Sequence, residues 1–243
     1  MSHPQFPDPP NRPFVLGHRG APRVEPENTL AGYRAARRMG ADGIELDVRR
    51  TADGRLAIHH DAHLPDGRAI CDIEAADLPS SVPDLAAALD ECPGFLVNIE
   101  IKNNPGDADF DPSDAVTEGV VAALAQRKVD GHDDWVLISS FNPVSLDVVR
   151  RLDPSLATAQ LMGALEDAAS TADAAARAGH LALHLWEPTI DAAVLAYAHD
   201  RGLRVTAWTV NDPEQLRSLA ALGADGVCTD VPDVALAAFR PAT

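Results

Sequence analysis

Apolar runs of strand length alternate with amphipathic segments of helical length along almost the whole chain, and this alternation constrains the fold most. Each of eight apolar runs is followed by a predicted helix. The predicted strands cover residues 14–17, 43–49, 95–102, 135–139, 156–161, 181–185, 203–210 and 226–229. The predicted helices cover residues 29–39, 82–92, 113–127, 143–152, 165–178, 190–201, 212–222 and 232–239, and either Asn28 or Thr29 is the predicted cap of the first. Strands that alternate with helices indicate a parallel sheet covered by helices.

Eight strand–helix units in a chain of 243 residues predict a (β/α)₈ or TIM barrel. A doubly wound open sheet is the competing architecture. Residues 51–54 predict a tight turn before the extended segment 56–60, which leaves no room for a parallel crossover. This segment is therefore expected to fold back as a β-hairpin extension after the second strand. We expect residues 1–12 to form a flexible tail and residues 13–243 to form a single domain.

Composition excludes several classes of partner. The net charge is −17, from 20 basic and 37 acidic residues, which argues against nucleic acid and anionic membranes as partners. No segment approaches the length of an apolar membrane span, and the proline-rich N-terminus lacks the apolar core of a signal peptide. The three cysteines are widely spaced, as expected for thiols in a reducing compartment. We expect a cytoplasmic protein with a small-molecule partner; the sequence does not predict its oligomeric state.

The second predicted strand, 43–49, carries an unusual polar face. Alternation sends its apolar side chains to one face and Glu45, Asp47 and Arg49 to the other. Buried carboxylates need a positive partner, which could be a metal ion, a guanidinium or a phosphate-bound cation. A structural ion network with Arg49 or Lys102 is one possibility.

Other polar residues follow the predicted strands at the same end of the barrel, where active sites of this fold lie. They are His18, Arg19, Asn98, Glu100, Lys102, Ser139, Ser140, Trp208 and Asp230, with His60 and Asp61 on the hairpin arm. Glu45, Asp47 and Glu100 together offer the oxygen ligands that calcium or magnesium requires. A zinc site is the weaker interpretation, because the adjacent His59 and His60 would point to opposite faces of a strand. No nucleophile elbow, phosphate loop or dinucleotide motif is visible.

Several short motifs, in this order and spacing, resemble those of the glycerophosphodiester phosphodiesterase family. They are His18-Arg19-Gly20, Pro26-Glu27-Asn28-Thr29, Glu45-Leu46-Asp47-Val48, Asp53-Gly54, His60-Asp61, Glu100-Ile101-Lys102, Ser140-Phe141, Trp208-Thr209-Val210-Asn211 and Gly226-Val227-Cys228-Thr229-Asp230-Val231-Pro232. Each motif alone is a weak signal, but the ordered series spans nearly the whole chain after the predicted tail.

The resemblance implies a TIM barrel that hydrolyses glycerophosphodiesters to sn-glycerol 3-phosphate and an alcohol, with Mg²⁺ or Ca²⁺ as cofactor. It implies that His18 and His60 are the general acid–base pair. The remaining implied roles are metal binding by Glu45, Asp47 and Glu100, phosphate binding by Arg19 and Lys102, and a place in the substrate pocket for Trp208.

The chain departs from the family pattern between His60 and Glu100. The connection 62–99 is short and lacks the Arg-Thr-Thr-Gly-type segment that caps the mouth, so we expect a more open pocket. Open questions are which alcohol is released, which metal is used, and whether water attacks directly or after a cyclic phosphate forms. Two alternatives are a phospholipase-D-like lyase that makes a cyclic phosphate from a lysolipid, and a non-catalytic phosphodiester-binding barrel.

Overall fold

The computed structural model of the chain describes residues 10–132, 135–164 and 167–240. The strands are β1 (Phe14–Gly17), β2 (Gly43–Arg50), β3 (Leu56–Ile58), β4 (Leu96–Ile101), β5 (Trp135–Ser140), β6 (Ala157–Met162), β7 (Ala182–Trp186), β8 (Arg204–Trp208) and β9 (Gly226–Thr229). The α-helices are α1 (Leu30–Met39), α2 (Leu85–Asp90), α3 (Ala115–Val129), α4 (Pro143–Leu152), α5 (Ala168–Ala178), α6 (Ala192–His199), α7 (Pro213–Leu222) and α8 (Pro232–Ala238). Short 3₁₀ helices lie at Ile70–Asp72, Ala75–Asp77 and Glu187–Thr189.

Eight of these strands form a closed parallel barrel. The pairing order is β1-β9-β8-β7-β6-β5-β4-β2, and β1 also pairs with β2, which closes the ring. Each barrel strand is followed by one of the α-helices. The TIM-barrel prediction is therefore confirmed, and the doubly wound alternative is wrong because the sheet has no open edges among these eight strands.

The hairpin extension after the second strand is also confirmed. β3 pairs antiparallel with the end of β2, with Val48 opposite Ile58 and Arg50 opposite Leu56. The strand is shorter than the predicted segment 56–60, because it ends at Ile58. His59 and His60 therefore lie in the loop that follows β3.

Side-chain caps set most helix starts. Thr29, one of the two predicted caps, accepts a hydrogen bond from the backbone N–H of Gly32 at 3.1 Å. Asp191 caps α6, so this helix begins later than residue 190. Asp167 likewise caps α5 at Ala168, whereas residues 165–166 of the predicted helix lie outside the described residues. Strand β8 ends at Trp208 rather than at residue 210.

The barrel interior is apolar at the amino ends of the strands. The side chains that fill it there are Leu16, Leu96, Leu137, Ala157, Ala159 and Ala182. Two larger apolar clusters pack the helices against the outside of the barrel. This packing leaves the carboxyl ends of the strands as the polar end of the interior.

Three further expectations concern the N-terminal tail, the cysteines and membrane-spanning segments. Most of the predicted tail, residues 1–9, lies outside the described residues, whereas Arg12 makes two hydrogen bonds with Asp42 at 2.6 and 2.9 Å. None of the three cysteines forms a disulfide; Cys92 and Cys228 are buried, but Cys71 is half-buried. Within the described ranges, no helix is long and apolar enough to cross a membrane.

Candidate active site

Three buried carboxylates meet at the carboxyl ends of β2 and β4. Asp47 lies opposite Glu100 in the parallel register, and Glu45 lies one inward position below Asp47. One oxygen from each of the three groups lies within 4.8 Å of the other two. The two neighbouring strands therefore bring together the three carboxylates that the sequence predicts as metal ligands.

Two positively charged side chains contact these carboxylates directly. The Lys102 Nζ lies 2.9 Å from Asp47 Oδ1 and also makes a short contact with Glu100. The Arg19 Nε lies 3.4 Å from Asp47 Oδ2. Burial opposes ionisation of Asp47, but Lys102 and Arg19 outweigh it and hold the pKa of Asp47 below its usual value. Asp47 is therefore ionised at neutral pH.

The negative charge of Glu45 is less well compensated by nearby positive groups than that of Asp47. Burial raises its pKa well above the usual value, and repulsion from Asp47 and Glu100 raises it further. The Glu45 Oε2 accepts a hydrogen bond from the Arg19 backbone N–H at 2.9 Å. Its Oε1 is buried and has no hydrogen-bond partner among the described residues. An additional positive charge beside Glu45 would remove this repulsion.

The donor set fits a divalent cation. Glu45, Asp47 and Glu100 carry three potential negative charges against the two of Arg19 and Lys102, and one buried oxygen of Glu45 lacks a protein donor. Carboxylate oxygens are the ligands that Mg²⁺ and Ca²⁺ prefer. Among the described residues, the acidic, histidine and cysteine side chains close enough to share an ion are these three carboxylates.

The first predicted catalytic histidine is held by an acidic side chain from the other end of the chain. His18 Nδ1 lies 2.8 Å from Asp230 Oδ1. Asn211 fixes Asp230 by donating to its Oδ2 at 2.8 Å and by accepting from its backbone N–H at 2.8 Å. Burial raises the pKa of Asp230, but the His18 hydrogen bond and charge outweigh it, so that pKa is lowered.

The second predicted catalytic histidine has a similar arrangement on the hairpin arm. His60 Nδ1 lies 2.7 Å from Asp61 Oδ1, and the His60 carbonyl accepts from Arg49 Nε at 2.8 Å. Burial lowers the pKa of His60, and the positive charge of Lys102 lowers it further. Arg49 pairs with Asp109 at 2.6 Å. Its alternative role as the partner of Glu45 and Asp47 is therefore wrong.

The predicted site residues other than Asp47 line one pocket, whose volume is about 420 Å³ including the open solvent at its mouth. His18, Arg19, Glu45, His60, Glu100, Lys102 and Trp208 line it, together with Asn98, Phe141, Leu161, His184 and Cys228. Asp47 lies behind this lining, where its side chain is 1 % exposed. The Trp208 ring packs edge-on against Phe141, with ring centroids 5.5 Å apart, and its Nε1–H donates to the His184 carbonyl at 3.1 Å.

Sequence reasoning did not assign roles to several residues that position the site. Asn28 was considered as a helix cap, but its Nδ2 donates to Asp47 Oδ2 at 2.8 Å. Asp230 and Asn211 orient His18, and Arg49 anchors the His60 backbone. A signal existed for Asn28, Asn211 and Asp230, because all three belong to the motifs that carry the family resemblance.

The connection after His60 packs against the hairpin arm. Leu64, Ile70 and Ile73 form a small buried cluster with Ala57 of β3. The segment thus has its own apolar contacts beside the barrel. The more open mouth expected from its short length stays a prediction.

Comparison with known proteins agrees with this geometry. The model of the glycerophosphoryl diester phosphodiesterase family matches residues 18–234. Protein YqiK of Bacillus subtilis is 30% identical over 246 residues, which cover 93% of this chain and 98% of YqiK. A glycerophosphodiester phosphodiesterase of Caldanaerobacter subterraneus is 29% identical over 253 residues, which cover 93% of this chain and 98% of that protein.

Solved structures give the same result. A phosphodiesterase of Oleispira antarctica, in complex with the product sn-glycerol-3-phosphate, is similar with a TM-score of 0.82 and 26% identity, covering 94% of this chain and 97% of that one. A glycerophosphodiester phosphodiesterase of Thermotoga maritima is similar with a TM-score of 0.77 and 25% identity, covering 94% and 98%. The family match over most of the chain establishes that this protein belongs to the glycerophosphoryl diester phosphodiesterase family.

Proposed function

We propose that the protein hydrolyses glycerophosphodiesters to sn-glycerol 3-phosphate and an alcohol, with a divalent cation and two histidines as acid and base. The observation that carries this proposal is the convergence of His18 and His60 on one pocket with the carboxylate cluster. The product complex of the Oleispira antarctica relative supports the same substrate class.

The two histidines suit proton transfer. Each has its Nδ1 bound to an aspartate, Asp230 for His18 and Asp61 for His60, which leaves Nε2 for the substrate. One imidazole accepts the proton of the attacking oxygen, and the other donates a proton to the departing alkoxide. The roles interchange in a second step if a hydroxyl of the substrate attacks first and a cyclic phosphate forms.

The remaining residues offset the charge of the phosphodiester. Arg19 and Lys102 line the pocket and supply two permanent positive charges at the carboxylate cluster. A divalent cation held by Glu45, Asp47 and Glu100 would supply further positive charge for the phosphate oxygens. Because the ligands are all carboxylates, Mg²⁺ and Ca²⁺ are both suitable. The cytoplasmic location stays a prediction that rests on the spacing of the cysteines and on the lack of long apolar segments in the sequence.

A substrate panel assayed with each metal tests the proposal. Glycerophosphocholine and glycerophosphoethanolamine should release sn-glycerol 3-phosphate in Mg²⁺ or Ca²⁺, and a chelator should abolish the release. His18→Ala and His60→Ala should each lower kcat by about 10²–10⁴-fold. His63→Ala, at an exposed histidine, is the matched control and should retain full activity. Full activity in both active-site variants would contradict the assigned mechanism.

Two further measurements separate the alternative functions. Phosphorus NMR that detects only a cyclic phosphate from a lysolipid would identify a lyase instead. Tight phosphodiester binding by calorimetry, without turnover in any metal, would identify a binding protein.

A further inference from the structure

The pocket reaches inward past Glu100 to Asn98, which lies opposite Glu45 in the strand register, and we call this polar inner part its floor. Asn98 on β4 and His184 on β7 line this floor and are only 2% and 3% exposed. In the ring of eight strands, β7 lies opposite β2, which carries Glu45. The two side chains therefore enclose the interior end of the pocket from different sides.

Both floor residues have buried polar atoms without a partner. Among the described residues, neither Asn98 Oδ1 nor His184 Nε2 has a hydrogen-bond partner. An unpaired buried polar atom costs about 1–3 kcal/mol, and TIM-barrel interiors are normally filled by branched apolar side chains. Packing and stability therefore do not explain why a histidine and an asparagine occupy these positions.

The floor is uncharged and offers both donors and acceptors. Burial lowers the pKa of His184 to about 4, so its imidazole is neutral at physiological pH and has one N–H donor and one acceptor nitrogen. The Asn98 amide also contains a donor and an acceptor group. This combination suits hydroxyl groups, which donate and accept, better than it suits a phosphate or an ammonium ion.

The position of the charged groups then fixes the orientation of the substrate. Arg19, Lys102 and the two histidines hold the phosphate, so one substituent points to the floor and the other to the mouth. We propose, on the basis of the proposed function, that Asn98 and His184 form a subsite for the hydroxyl groups of the substrate's glycerol. The variable alcohol then points outward, past Phe141 and Trp208.

Replacing His184 tests the subsite. His184→Leu should raise KM for glycerophosphocholine by about 10-fold or more, with a smaller change in kcat, because hydroxyl recognition is lost while the phosphate contacts stay. The inhibition constant of sn-glycerol 3-phosphate should rise by a similar factor, and that of inorganic phosphate should change by less than about 2-fold.

His180→Leu is a matched control. His180 is also buried, with a pKa lowered to about 4, but it bonds Thr158 at 2.9 Å and does not line the pocket. This variant should leave KM and both inhibition constants unchanged. If His184→Leu does not fold, Asn98→Ala provides the same comparison. His184→Gln keeps a donor and an acceptor, so it should lose less affinity for the substrate than His184→Leu or Asn98→Ala.

Two outcomes would overturn the subsite. One is an unchanged KM in folded His184→Leu and Asn98→Ala, and the other is an equal loss of affinity for phosphate and for sn-glycerol 3-phosphate. A wild-type protein that releases no sn-glycerol 3-phosphate under any metal would instead reject the proposed function itself.

Discussion

The two ends of the barrel interior differ sharply although the same strands build both. Along β4, the inward face begins with Leu96, continues with Asn98 and ends with Glu100. Leucine and alanine side chains fill the amino end without a charge. At the carboxyl end, burial raises the pKa of Glu45, and repulsion from the neighbouring carboxylates raises it further.

The amino end of the barrel therefore contributes to stability, whereas the carboxyl end carries the groups for chemistry. Apolar burial at the amino end favours folding, whereas the carboxylate cluster at the other end opposes it until a cation is present. Substitutions at the two ends should therefore have separable effects on unfolding and on activity.

The largest expected effect is on stability at the amino end. Leu137 is 3% exposed, and Leu137→Ala should lower the free energy of unfolding by about 2–5 kcal/mol through lost burial and the remaining cavity. Urea unfolding measures the loss, and kcat per folded molecule should be unchanged. Leu222→Ala, at a leucine that is 38% exposed, is the control and should cost less than about 1 kcal/mol. A loss of kcat in Leu137→Ala would show that stability and activity are not separable between the two ends.

The second effect is on catalysis at the carboxyl end. Asp230→Asn should lower kcat by about 10–100-fold, because the amide can donate to His18 Nδ1 and favour the wrong tautomer. Thermal unfolding should change little. Asp66→Asn, at an exposed aspartate, is the control for loss of a surface charge. Equal kcat values in the two variants would show that Asp230 does not position His18.

The third effect is on stability at the carboxyl end and has the opposite sign to that of Leu137→Ala. In chelator and at a pH above the raised pKa of Glu45, Glu45→Gln should raise Tm by about 2–4 °C, equivalent to about 1 kcal/mol, because one buried repelling charge is removed. Added Mg²⁺ or Ca²⁺ should raise the Tm of the wild-type protein, and Glu45→Gln should abolish this rise. Calorimetric scans with and without metal measure both changes.

The pH dependence of unfolding provides a second readout for Glu45. Its pKa is higher in the folded than in the unfolded state, so in chelator its contribution to stability should improve as pH falls through that raised pKa. The contribution of Asp47 has the opposite sign, because its lowered pKa favours folding above the unfolded value and is lost in acid. The improvement should disappear in Glu45→Gln, and its persistence would assign it to another group.

The smallest effect is on the pH profile. Because burial and then Lys102 lower the pKa of His60, the acidic limb of kcat/KM that reports His60 should lie below the ordinary value of 6.5. Asp61 raises that pKa through its hydrogen bond, so Asp61→Asn should move the limb further toward acid. A shift toward alkaline pH would exclude this role for Asp61.

The architecture could be predicted from the sequence because it follows from local patterns. Strand–helix alternation predicts the barrel, and the short turn at 51–54 predicts the antiparallel β3. Helix α4 occupies the predicted range 143–152, since proline and a capping asparagine fix its start. Errors of a few residues occur where a later aspartate caps the helix, as at Asp191.

The contacts within the site could not be predicted, because they depend on side-chain directions across distant segments. The pairing of His18 with Asp230 spans 212 residues and follows no sequence period. Strand alternation predicts that Lys102 shares a face with Glu100, but not that its Nζ bridges Glu100 and Asp47. His184 was missed because one histidine within a short apolar strand has the pattern of a core residue.

The hairpin arm gives the site a weak point that is independent of the barrel. Each barrel strand is hydrogen-bonded to a neighbouring strand on both edges, whereas the three-residue β3 pairs with β2 on one edge and makes a single bridge, Ala57 to Asp84, on the other. Opening β3 therefore breaks one short ladder and one bridge and leaves the ring closed, so it should occur in local fluctuations below the global unfolding free energy. Such an opening would move His60 away from His18. The protein would then lose activity reversibly on warming while its circular dichroism still reports a folded barrel.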